Sequence, residues 1–451
     1  MVEMLDRWML GWIALLVFGP VFLVGQPANH TAHKQTQAHM GNHKQQSTYK
    51  GSHAPRYVWK DPRIKLSALP PLLGKQMGTV ETPGIPPLGY EMDNGVKVFR
   101  LIAQPIEQVI TDGIVKHEGL IRAMKSMYGA HPMKVHQKVR AWGYNGSTPG
   151  PTIEITEGEK VRIIFKNELP EPTTVHWHGI ELPFAQDGSS DADPVMPGKT
   201  HTYEFTPYQS GTYLYHSGFN IFKQEMSGLV GMLVIHPKAG YEEKIDRDIA
   251  IMLQEWALLP GNVYPNIFTT EFNWFTFNGH SAPSIPIITI NQDERVRIRL
   301  GNMVMDSHPI HIHGFVWDVV GTEGGPIKKS AQWKATTIHV PSGGTRDVAF
   351  VAFNPGSWPF HCHKMHHVMN AHAQVPMGIM HHGGMFTFVN VIPKNPNKPW
   401  QHPSQSRPDN PDVDAYGYPK KDESKKDDEK VKKQTDAGEQ ELPEERTHAH
   451  H

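Results

Sequence analysis

The chain has 451 residues, of which 38% are apolar and 20% are charged, and its formal net charge is −1. This balance is ordinary for a globular protein and argues against nucleic acid as a partner, because it gives no sign of the basic surface that such a partner needs. The unusual counts are 29 histidines and 20 methionines beside a single cysteine, since imidazole and thioether groups are ligands that suit copper.

The N-terminal residues predict export to the periplasm or the cell exterior. Residues 9–24, MLGWIALLVFGPVFLV, form an apolar run preceded by Arg7, as in a secretory signal. Glu3 and Asp6 weaken the basic character of this start, and no small-x-small cleavage site follows. Residues 1–28 are therefore interpreted as a signal peptide or, alternatively, as a retained membrane anchor, although the run is short for a membrane span.

Two further segments lack the pattern of a folded core. Residues 29–90 are rich in histidine, glutamine, lysine and proline with little periodicity, so they are predicted to be a disordered linker. Residues 396–451 contain KKDESKKDDEKVKKQ, whose charges are too dense to bury, so a disordered tail is predicted there.

Between these ends, short strand patterns predict an all-β fold. Residues 91–237 contain the alternating or β-rich strings VKVFRLIA, KVRAWGYN, PTIEIT, KVRIIFKN, HTYEFT, GTYLYH and GLVGMLVIH. Residues 238–395 repeat this rhythm with DIAIMLQEW, SIPIITIN, RVRIRLGN, FVWDVVG, TTIHVP, RDVAFVAF and MFTFVNV. Turn clusters separate the strands, so we expect two β-sandwiches in tandem. The stretch GIVKHEGLIRAMKSMYG in the first sandwich is predicted to be a short helical insertion.

Histidines fall into four clusters, two in each predicted sandwich. The clusters are HWHG at 176–179, HSG at 216–218, HPIHIHG at 308–314 and HCHKMHH at 361–367. A single HxH pair is weak evidence, but four clusters near predicted strand ends indicate metal binding. The lone Cys362 excludes an intrachain disulfide. In an extended strand His361 and His363 face away from Cys362, so one strand could serve two metal sites.

The segments around these histidines resemble the multicopper oxidases, the family of laccases, ascorbate oxidase and bacterial copper efflux oxidases. The resemblance runs from about residue 91 to 393 and is carried by YNGSTPGPTIEI, NELPEPTTVHWHG, PGKTHTYEF, GTYLYH and NPGSWPFHCH. It implies Greek-key cupredoxin domains, a type 1 copper that takes electrons from a substrate, and a trinuclear cluster of type 2 and type 3 copper that reduces O2 to water. Up to four copper ions per chain are implied.

Transferred to this sequence residue by residue, the resemblance implies three groups of ligands. The type 1 copper takes a His2Cys set of His308, Cys362 and His367, in which Cys362 receives the electron. The type 2 copper takes His176 and His311. The two type 3 coppers take His178, His216 and His363 on one side, and His313 and His361 on the other.

One type 3 ligand of the family pattern is missing. The family has HxH where this chain has His216, Ser217 and Gly218, so the copper held by His313 and His361 lacks a third imidazole. Three interpretations stay open: a ligand from elsewhere, such as Glu225 or another histidine, a two-coordinate copper, or a cluster without that metal.

The axial position of the type 1 site also departs from the family. Many relatives carry methionine five residues after the last type 1 histidine, whereas this chain has His372 there. If His372 coordinates, a stronger axial ligand should lower the redox potential. The alternative is that His372 turns away and that Met369 or nothing fills the position.

Asp187, in the phrase QDG, matches the family's acid beside the trinuclear cluster, which implies that it relays protons to the bound oxygen. An ordinary Asp-Gly turn is the alternative interpretation. A second acid that relatives can carry near the HCH strand is replaced here, because Met365 and Val368 occupy the corresponding positions.

The substrate is expected to be a small reductant, either a phenol or Cu(I). Thioether and imidazole side chains near the type 1 site could dock Cu(I), and packing of the methionines in the core is the alternative. These side chains are Met365, Met369, Met377, Met380, Met385, His366, His381 and His382.

Only one further domain fits after the first, so the chain resembles two-domain laccases, in which a homotrimer assembles each trinuclear cluster from two neighbouring chains. Copper nitrite reductases are also two-domain trimers, but they carry the type 1 cysteine in the first domain. The sequence therefore predicts a laccase-like or cuprous oxidase that uses O2. The alternative is a non-oxidase copper-binding or copper-resistance protein with an incomplete cluster on the same scaffold.

Overall fold

The computed structural model describes residues 78–114, 134–189, 193–370, 383–397 and 400. The predicted signal peptide or anchor and residues 29–77 of the predicted linker lie outside these ranges. The same is true of residues 115–129 of the predicted helical insertion and of the predicted tail from residue 401 onward. No helix within the described ranges is long and apolar enough to cross a membrane.

The first β-sandwich is formed by two sheets and two short helices. Its strands are β1 (Glu91–Asp93), β2 (Val96–Ile114), β3 (Lys134–Tyr144), β4 (Ile153–Thr156), β5 (Val161–Asn167), β6 (His176–His178), β7 (Thr200–Phe205), β8 (Gly211–His216) and β9 (Val230–His236), and its helices are α1 (Phe184–Asp187) and α2 (Ile221–Met226). One sheet has the order β1-β2-β5-β7 with β3 beside β2, and the other has the order β4-β9-β8-β6. Trp177 of the second sheet packs against Tyr203 and Phe205 of the first, so the sheets enclose a common core.

The second β-sandwich repeats this arrangement. Its strands are β10 (Arg247–Trp256), β11 (Trp274–Phe277), β12 (Ile288–Asn291), β13 (Arg295–Asn302), β14 (His308–Ile312), β15 (Trp317–Thr322), β16 (Gly325–Pro326), β17 (Trp333–Ala335), β18 (Thr337–Val340), β19 (Gly344–Val351), β20 (Gly356–Cys362) and β21 (Phe386–Ile392). Helix α3 (Met365–Met369) follows β20, and a 3-10 turn spans Lys329–Ala331. The sheets have the orders β11-β10-β13-β19-β15-β16, with β17 beside β15, and β12-β21-β20-β14-β18. The prediction of an all-β chain with tandem sandwiches is confirmed.

Apolar side chains join the two sandwiches. Strands β8 and β9 are buried on both faces. One face belongs to the first sandwich, and the other packs on β10 of the second. The cluster between them consists of Leu214, Val230, Met232, Val234, Ala250 and Met252. Because burial of apolar surface is the main stabilising contribution in folding, this cluster fixes the two sandwiches against each other.

Residues 78–90 were predicted as linker, yet they pack against both sandwiches. Glu81 forms a parallel β-bridge with Ile249, and Ile85 and Leu88 are buried. This end of the predicted linker is therefore part of the folded protein. Its apolar residues are too few and too irregularly spaced between prolines to give a strand pattern, which explains why the sequence did not reveal it.

The largely buried carboxylate of Glu154 on β4 holds the start of this segment. It accepts hydrogen bonds from the backbone N–H groups of Thr79 (2.6 Å) and Val80 (2.9 Å) and from Nε2 of His236 (2.8 Å). Burial alone would raise the pKa of Glu154, but the hydrogen bonds from His236 and from the two backbone groups outweigh it and lower this pKa to about 2.

Replacing Glu154 with glutamine should lower the free energy of unfolding near neutral pH by about 2–3 kcal/mol. The pKa of this carboxyl is lower in the folded protein than in the unfolded chain. Its contribution is therefore complete above about pH 5 and is lost as the pH falls towards about 2. In urea denaturation, the difference between wild type and Glu154→Gln should shrink from about pH 5 to about pH 3. The exposed Glu181→Gln should show no such trend, and a pH-independent difference for Glu154→Gln would contradict this explanation.

Candidate metal centre

The single cysteine lies in a buried three-residue site, here called the thiol site. It consists of His308 on β14, Cys362 at the end of β20 and His367 on α3. The Nδ1 atoms of the two histidines are 3.0 Å apart, and Sγ of Cys362 lies 3.9 and 3.7 Å from them. Nitrogen and sulfur atoms that share one metal ion at about 2.0–2.3 Å lie about 3–4 Å from each other. The three atoms therefore fit copper bound by a His2Cys set.

Strand register brings these three ligands together. Strand β14 pairs antiparallel with β20, and Ile310 lies opposite Cys362. His308 precedes Ile310 by two residues, so it faces the same core. The chain then turns from β20 into α3, which places His367 beside the sulfur. The ring of Phe275 stacks on His367 with 3.9 Å between the ring centroids, which holds this imidazole in place.

Burial prepares the thiol site for a metal ion. It lowers the pKa of both His308 and His367, and nearby cationic groups reinforce the shift. Burial also raises the pKa of the Cys362 thiol to about 12. At neutral pH the imidazoles are therefore neutral and present lone pairs, while the thiol keeps its proton until a cation replaces it.

Two acids that sequence analysis did not single out lie behind these histidines. Oδ2 of Asp306 is 3.2 Å from Nε2 of His367, and Oε2 of Glu255 is 3.9 Å from Nε2 of His308. The other oxygen of the buried Glu255 carboxyl accepts the backbone N–H groups of Met305 (2.9 Å) and Asp306 (3.0 Å). Burial raises the pKa of Glu255 to about 8. A partner such as Asp306 on the far nitrogen orients a metal-binding imidazole, whereas Glu255 lies near His308 without a hydrogen bond to it.

The first histidine set consists of His176 and His178 on β6 and His216 on β8. His176 and His216 are directly opposite each other across the two strands. Nδ1 of His178 lies 3.1 Å from Nε2 of His216. Burial lowers the pKa of His178 to about 4, and the charges of the other two rings add to this shift. Three imidazoles thus converge without an acid between them, as metal ligands do.

Polar groups hold two rings of the first histidine set from behind. Nδ1 of His176 lies 3.0 Å from the carbonyl oxygen of Asp187 and 3.3 Å from its carboxylate Oδ2. Nδ1 of His216 lies 2.9 Å from the carbonyl oxygen of Ser217 and 2.7 Å from Oε1 of Glu225. Each contact leaves Nε2 for a metal ion. Glu225 therefore lies beside the Nδ1 edge of His216, the edge opposite to the nitrogen that would bind a metal ion.

The second histidine set consists of His311, His313, His361 and His363. Nε2 of His313 lies 3.2 Å from Nε2 of His361. The ring centroid of His311 lies 5.5 Å from that of His361 and 5.6 Å from that of His363. His311 is opposite His361 in the register of β14 and β20, on the sheet face that Cys362 does not use. One strand therefore contributes to both the thiol site and the second histidine set.

The adjacent pairs in the two sets are those that the family resemblance assigned to common type 3 coppers, namely His178 with His216 and His313 with His361. Across the described residues, however, no ring contact or short ligand distance joins the first set to the second. His313 and His363 are exposed. Each set is thus a half-site with a surface open to further ligands.

Space explains the missing histidine at Gly218. A Cβ atom there would lie 2.0 Å from the carbonyl oxygen of Gly188 and 2.7 Å from Oγ1 of Thr174. Gly188 ends α1 with a φ of 74°, a conformation that favours glycine, and its oxygen accepts a hydrogen bond from Thr174 (2.5 Å). The turn that follows Asp187 therefore occupies the place of a side chain at position 218.

Replacing Gly218 with alanine should destabilise the protein by about 1–3 kcal/mol, because the new methyl group must displace this turn. The displacement should also move Asp187 away from His176 and weaken copper binding by the first histidine set. Thermal unfolding and copper titration would measure both effects. Gly324→Ala is the control, since its nearest neighbour would be 3.6 Å away. Equal stability of the two variants would contradict the steric explanation.

The predicted copper-docking side chains separate into different environments. Met365 is exposed, whereas Met385 is fully buried in the core of the second sandwich and cannot dock a ligand. Of the two interpretations left open for these methionines, core packing is therefore the correct one for Met385. Asp306 and His366 lie beside His367, with possible ligand atoms within 4.8 Å of one another. The predicted axial ligand His372 lies outside the described residues, as do Met377, Met380, His381 and His382.

Comparisons with known protein families agree with this geometry. Residues 127–240 and 260–375, together about half of the chain, each match a family model described as multicopper oxidase. The chain is 42% identical over 117 residues to a copper resistance protein A homolog of Pseudomonas syringae pv. tomato, a match that covers 25% of this chain and 19% of that protein. It is 28% identical over 272 residues to a copper-containing nitrite reductase of Neisseria gonorrhoeae, covering 57% of this chain and 65% of the relative.

A third relative, a probable nitrite reductase-hydroxylamine oxidoreductase fusion protein of Kuenenia stuttgartiensis, is 28% identical over 250 residues, which are 51% of this chain and 28% of that protein. The chain thus spans less than two thirds of each of these curated relatives.

Solved structures show the same fold. The blue copper oxidase from Nitrosomonas europaea matches with a TM-score of 0.51 and 25% identity, over 65% of this chain and 85% of that one. The multicopper oxidase mgLAC matches with a TM-score of 0.53 and 24% identity, over 73% of this chain and 94% of that one. Both sandwiches are therefore cupredoxin domains. Taken with the family matches and the histidine and cysteine sites, these findings show that the chain belongs to the multicopper oxidase family, whose cofactor is copper.

Proposed function

We propose that this chain is an exported, laccase-like copper oxidase that couples one-electron oxidation of a small reductant to the reduction of O2 to water. The observation that carries this proposal is that β20 contributes side chains to two different metal-binding groups. Its Cys362 faces the buried thiol site, while His361 on the same strand and His363 just beyond it belong to the second histidine set. An electron that arrives at the sulfur is one peptide link away from either histidine.

The remaining roles follow from the geometry of each group. Copper bound at the thiol site would supply one-electron transfer, and copper bound at the histidine sets would supply the reduction of O2. Phe275 and Asp306 keep His367 oriented, so that the thiol site changes little between redox states. Asp187 stands beside His176, where its carboxylate can receive a proton from water and return it to the reduced oxygen.

We also propose that three chains form a cyclic homotrimer. The two histidine sets are half-sites in one chain, and a trinuclear cluster needs ligands from both. In a ring of three chains, the first set of each chain would face the second set of its neighbour, so that each junction completes one cluster. The exposure of His313 and His363 in a single chain supports this arrangement.

For the substrate, we propose Cu(I) ahead of a phenol. The outer edge of the thiol site carries the carboxylate of Asp306, the imidazole of His366 and the exposed thioether of Met365. Soft thioether and imidazole groups favour cuprous ion, and the edge lies next to the imidazole of His367. A bound Cu(I) would thus be one residue away from the site that accepts its electron.

Copper content and O2 consumption test this proposal. The full chain is loaded with copper without oxygen, the metal is counted per chain, and the mass is measured by light scattering. We expect a trimer, a near-ultraviolet band from paired type 3 copper, and O2 uptake with Cu(I) that exceeds the uptake with a phenol. Absence of O2 uptake in fully loaded trimers would contradict the oxidase and favour the copper-binding alternative. Nitric oxide production from nitrite would point to a different enzyme, and a copper-loaded monomer would refute the shared cluster.

A further inference from the structure

A cavity lined by three arginines lies where the two sandwiches are connected. Along β13 one face belongs to the core of the second sandwich, and the opposite face carries Arg295, Arg297 and Arg299. These side chains line a cavity of about 370 Å³. Its other walls come from residues 237–245, which connect the sandwiches, and from the turn at residues 326–332.

Two of the three arginines form close ion pairs with carboxylates. The buried Arg299 donates hydrogen bonds to both carboxylate oxygens of Asp248 (2.7 and 2.8 Å) and pairs with Asp347 at 3.2 Å. Arg295 pairs with Glu243. Such charge-assisted contacts satisfy the donors of the buried Arg299. Arg295 is half-buried, and its Nε, unlike that of Arg299, has no hydrogen-bond partner among the described residues.

Arg297 differs from both, because its guanidinium donates no hydrogen bond to any residue of the described ranges. Only 7% of its side chain is exposed, and the group stacks on the ring of Tyr241, with 3.7 Å between Cζ and the ring centroid. The nearest carboxylate oxygen is Oδ2 of Asp248 at 3.6 Å, which already accepts a hydrogen bond from Arg299. Its Nε is buried without a partner. Buried donors without acceptors are costly, so an acceptor inside the cavity is expected.

The other charges around the cavity favour an anion. Lys328 is exposed at the rim, and its ammonium group has no acidic partner among the described residues. Of the acidic groups that line the cavity, Glu243 and Asp347 are already paired with arginines, and Glu242 is exposed. Lys329 also lines the cavity and pairs with Glu243, so five cationic side chains face three acidic ones. Among the cations, Arg297 and Lys328 donate no hydrogen bond to a carboxylate of the described residues. Part of the wall is apolar, formed by Ile245, Val320 and Ile327.

We propose that this cavity binds a small oxyanion of the phosphate or sulfate type, either free or as an organic ester. Arg297 would donate two parallel hydrogen bonds from its planar guanidinium to two oxygens of the anion. The stacking on Tyr241 would hold the guanidinium in position for this contact. Lys328 would contribute a second positive charge. A volume of about 370 Å³ exceeds that of inorganic phosphate, so the apolar wall leaves room for an organic substituent.

Calorimetric titration of the copper-loaded full chain tests the proposal, with inorganic phosphate and phenyl phosphate as the two probes at constant ionic strength. We expect one saturable site per chain for at least one of the probes. Tighter binding of phenyl phosphate would show that the apolar wall takes part, and tighter binding of inorganic phosphate would identify the free anion as the ligand. Arg297→Gln should weaken binding at least tenfold, whereas Arg100→Gln, which removes an exposed arginine of the first sandwich, should leave it unchanged.

A second variant covers the case in which Arg297→Gln does not fold. Lys328 is exposed, so Lys328→Gln should fold normally and weaken binding severalfold. Unchanged binding in Lys328→Gln together with unchanged binding in any folded Arg297→Gln would overturn the proposal. The proposal would also be overturned if neither probe showed saturable binding to the wild type up to about 20 mM. At that concentration a specific site with a millimolar Kd would be nearly saturated.

Discussion

Two inactive variants of this protein should restore activity to each other when their chains are mixed. One variant replaces His176 and His178 with alanine, which removes the first histidine set. The other replaces His311 and His313 with alanine, which disables the second set. Each variant alone should lose O2 consumption, because every junction of its trimer lacks one half of the cluster. In a mixed trimer one junction joins the intact first set of one chain to the intact second set of its neighbour.

The expected recovery has a definite size. Every mixed ring of three chains contains one intact junction of three, and random assembly of equal amounts makes about three quarters of the rings mixed, so the mixture should show about a quarter of the wild-type rate. Co-expression with two different affinity tags measures this recovery as O2 uptake of the whole trimer population. The doubly tagged trimers, which are all mixed rings, should show about a third of the wild-type rate. Two variants damaged in the same set are the control and should not recover. Doubly tagged trimers without activity would refute the shared cluster.

Replacing Cys362 with serine should lower substrate-dependent O2 consumption on the order of a thousandfold, equivalent to about 4 kcal/mol of activation free energy. The hydroxyl is a much weaker ligand for copper than a thiolate, and electrons lose their entry into β20. The intense visible absorption of the copper–thiolate bond should disappear, while the copper bound by the histidine sets stays.

Met365→Leu is the matched comparison for this variant. Met365 is exposed at the outer edge of the thiol site, so its loss should leave the visible absorption intact and raise the KM for Cu(I). Measuring the visible absorption and the copper content before the kinetic assay separates loss of the copper–thiolate bond from weaker docking of Cu(I). Turnover near the wild-type value in a copper-loaded Cys362→Ser protein would mean that electrons reach the histidine sets by another route.

Much of the fold and of the candidate site could be predicted from local patterns. Alternation along an extended strand separates Cys362 from His361 and His363, and the structure places them at the thiol site and the second histidine set accordingly. The strand patterns predicted the two sandwiches for the same reason, because side chains that alternate between core and surface leave a period of two in the sequence.

Other features depend on contacts between distant residues and leave no local pattern. Glu255 lies 53 positions before His308 in the chain, yet their side chains face each other in the core. The absence of a histidine at position 218 is visible in the sequence, but its cause is the carbonyl oxygen of Gly188. For Met385, which is near the type 1 site in sequence, the sequence left copper docking and core packing both open, and only its burial decides for the core.

The pairing of β14 with β20 also makes copper binding depend on the correct register of the two strands. A slip of β20 by one residue against β14 would turn the side chains of β20 to the opposite face of the sheet, while those of β14 keep theirs. The thiol would then point outward and His361 would enter the core. Such a chain could pair its backbone hydrogen bonds, but it could not bring sulfur and imidazole to one ion. Copper would therefore stabilise only the correctly paired chain, and uptake of the metal would act as a proofreading step in maturation.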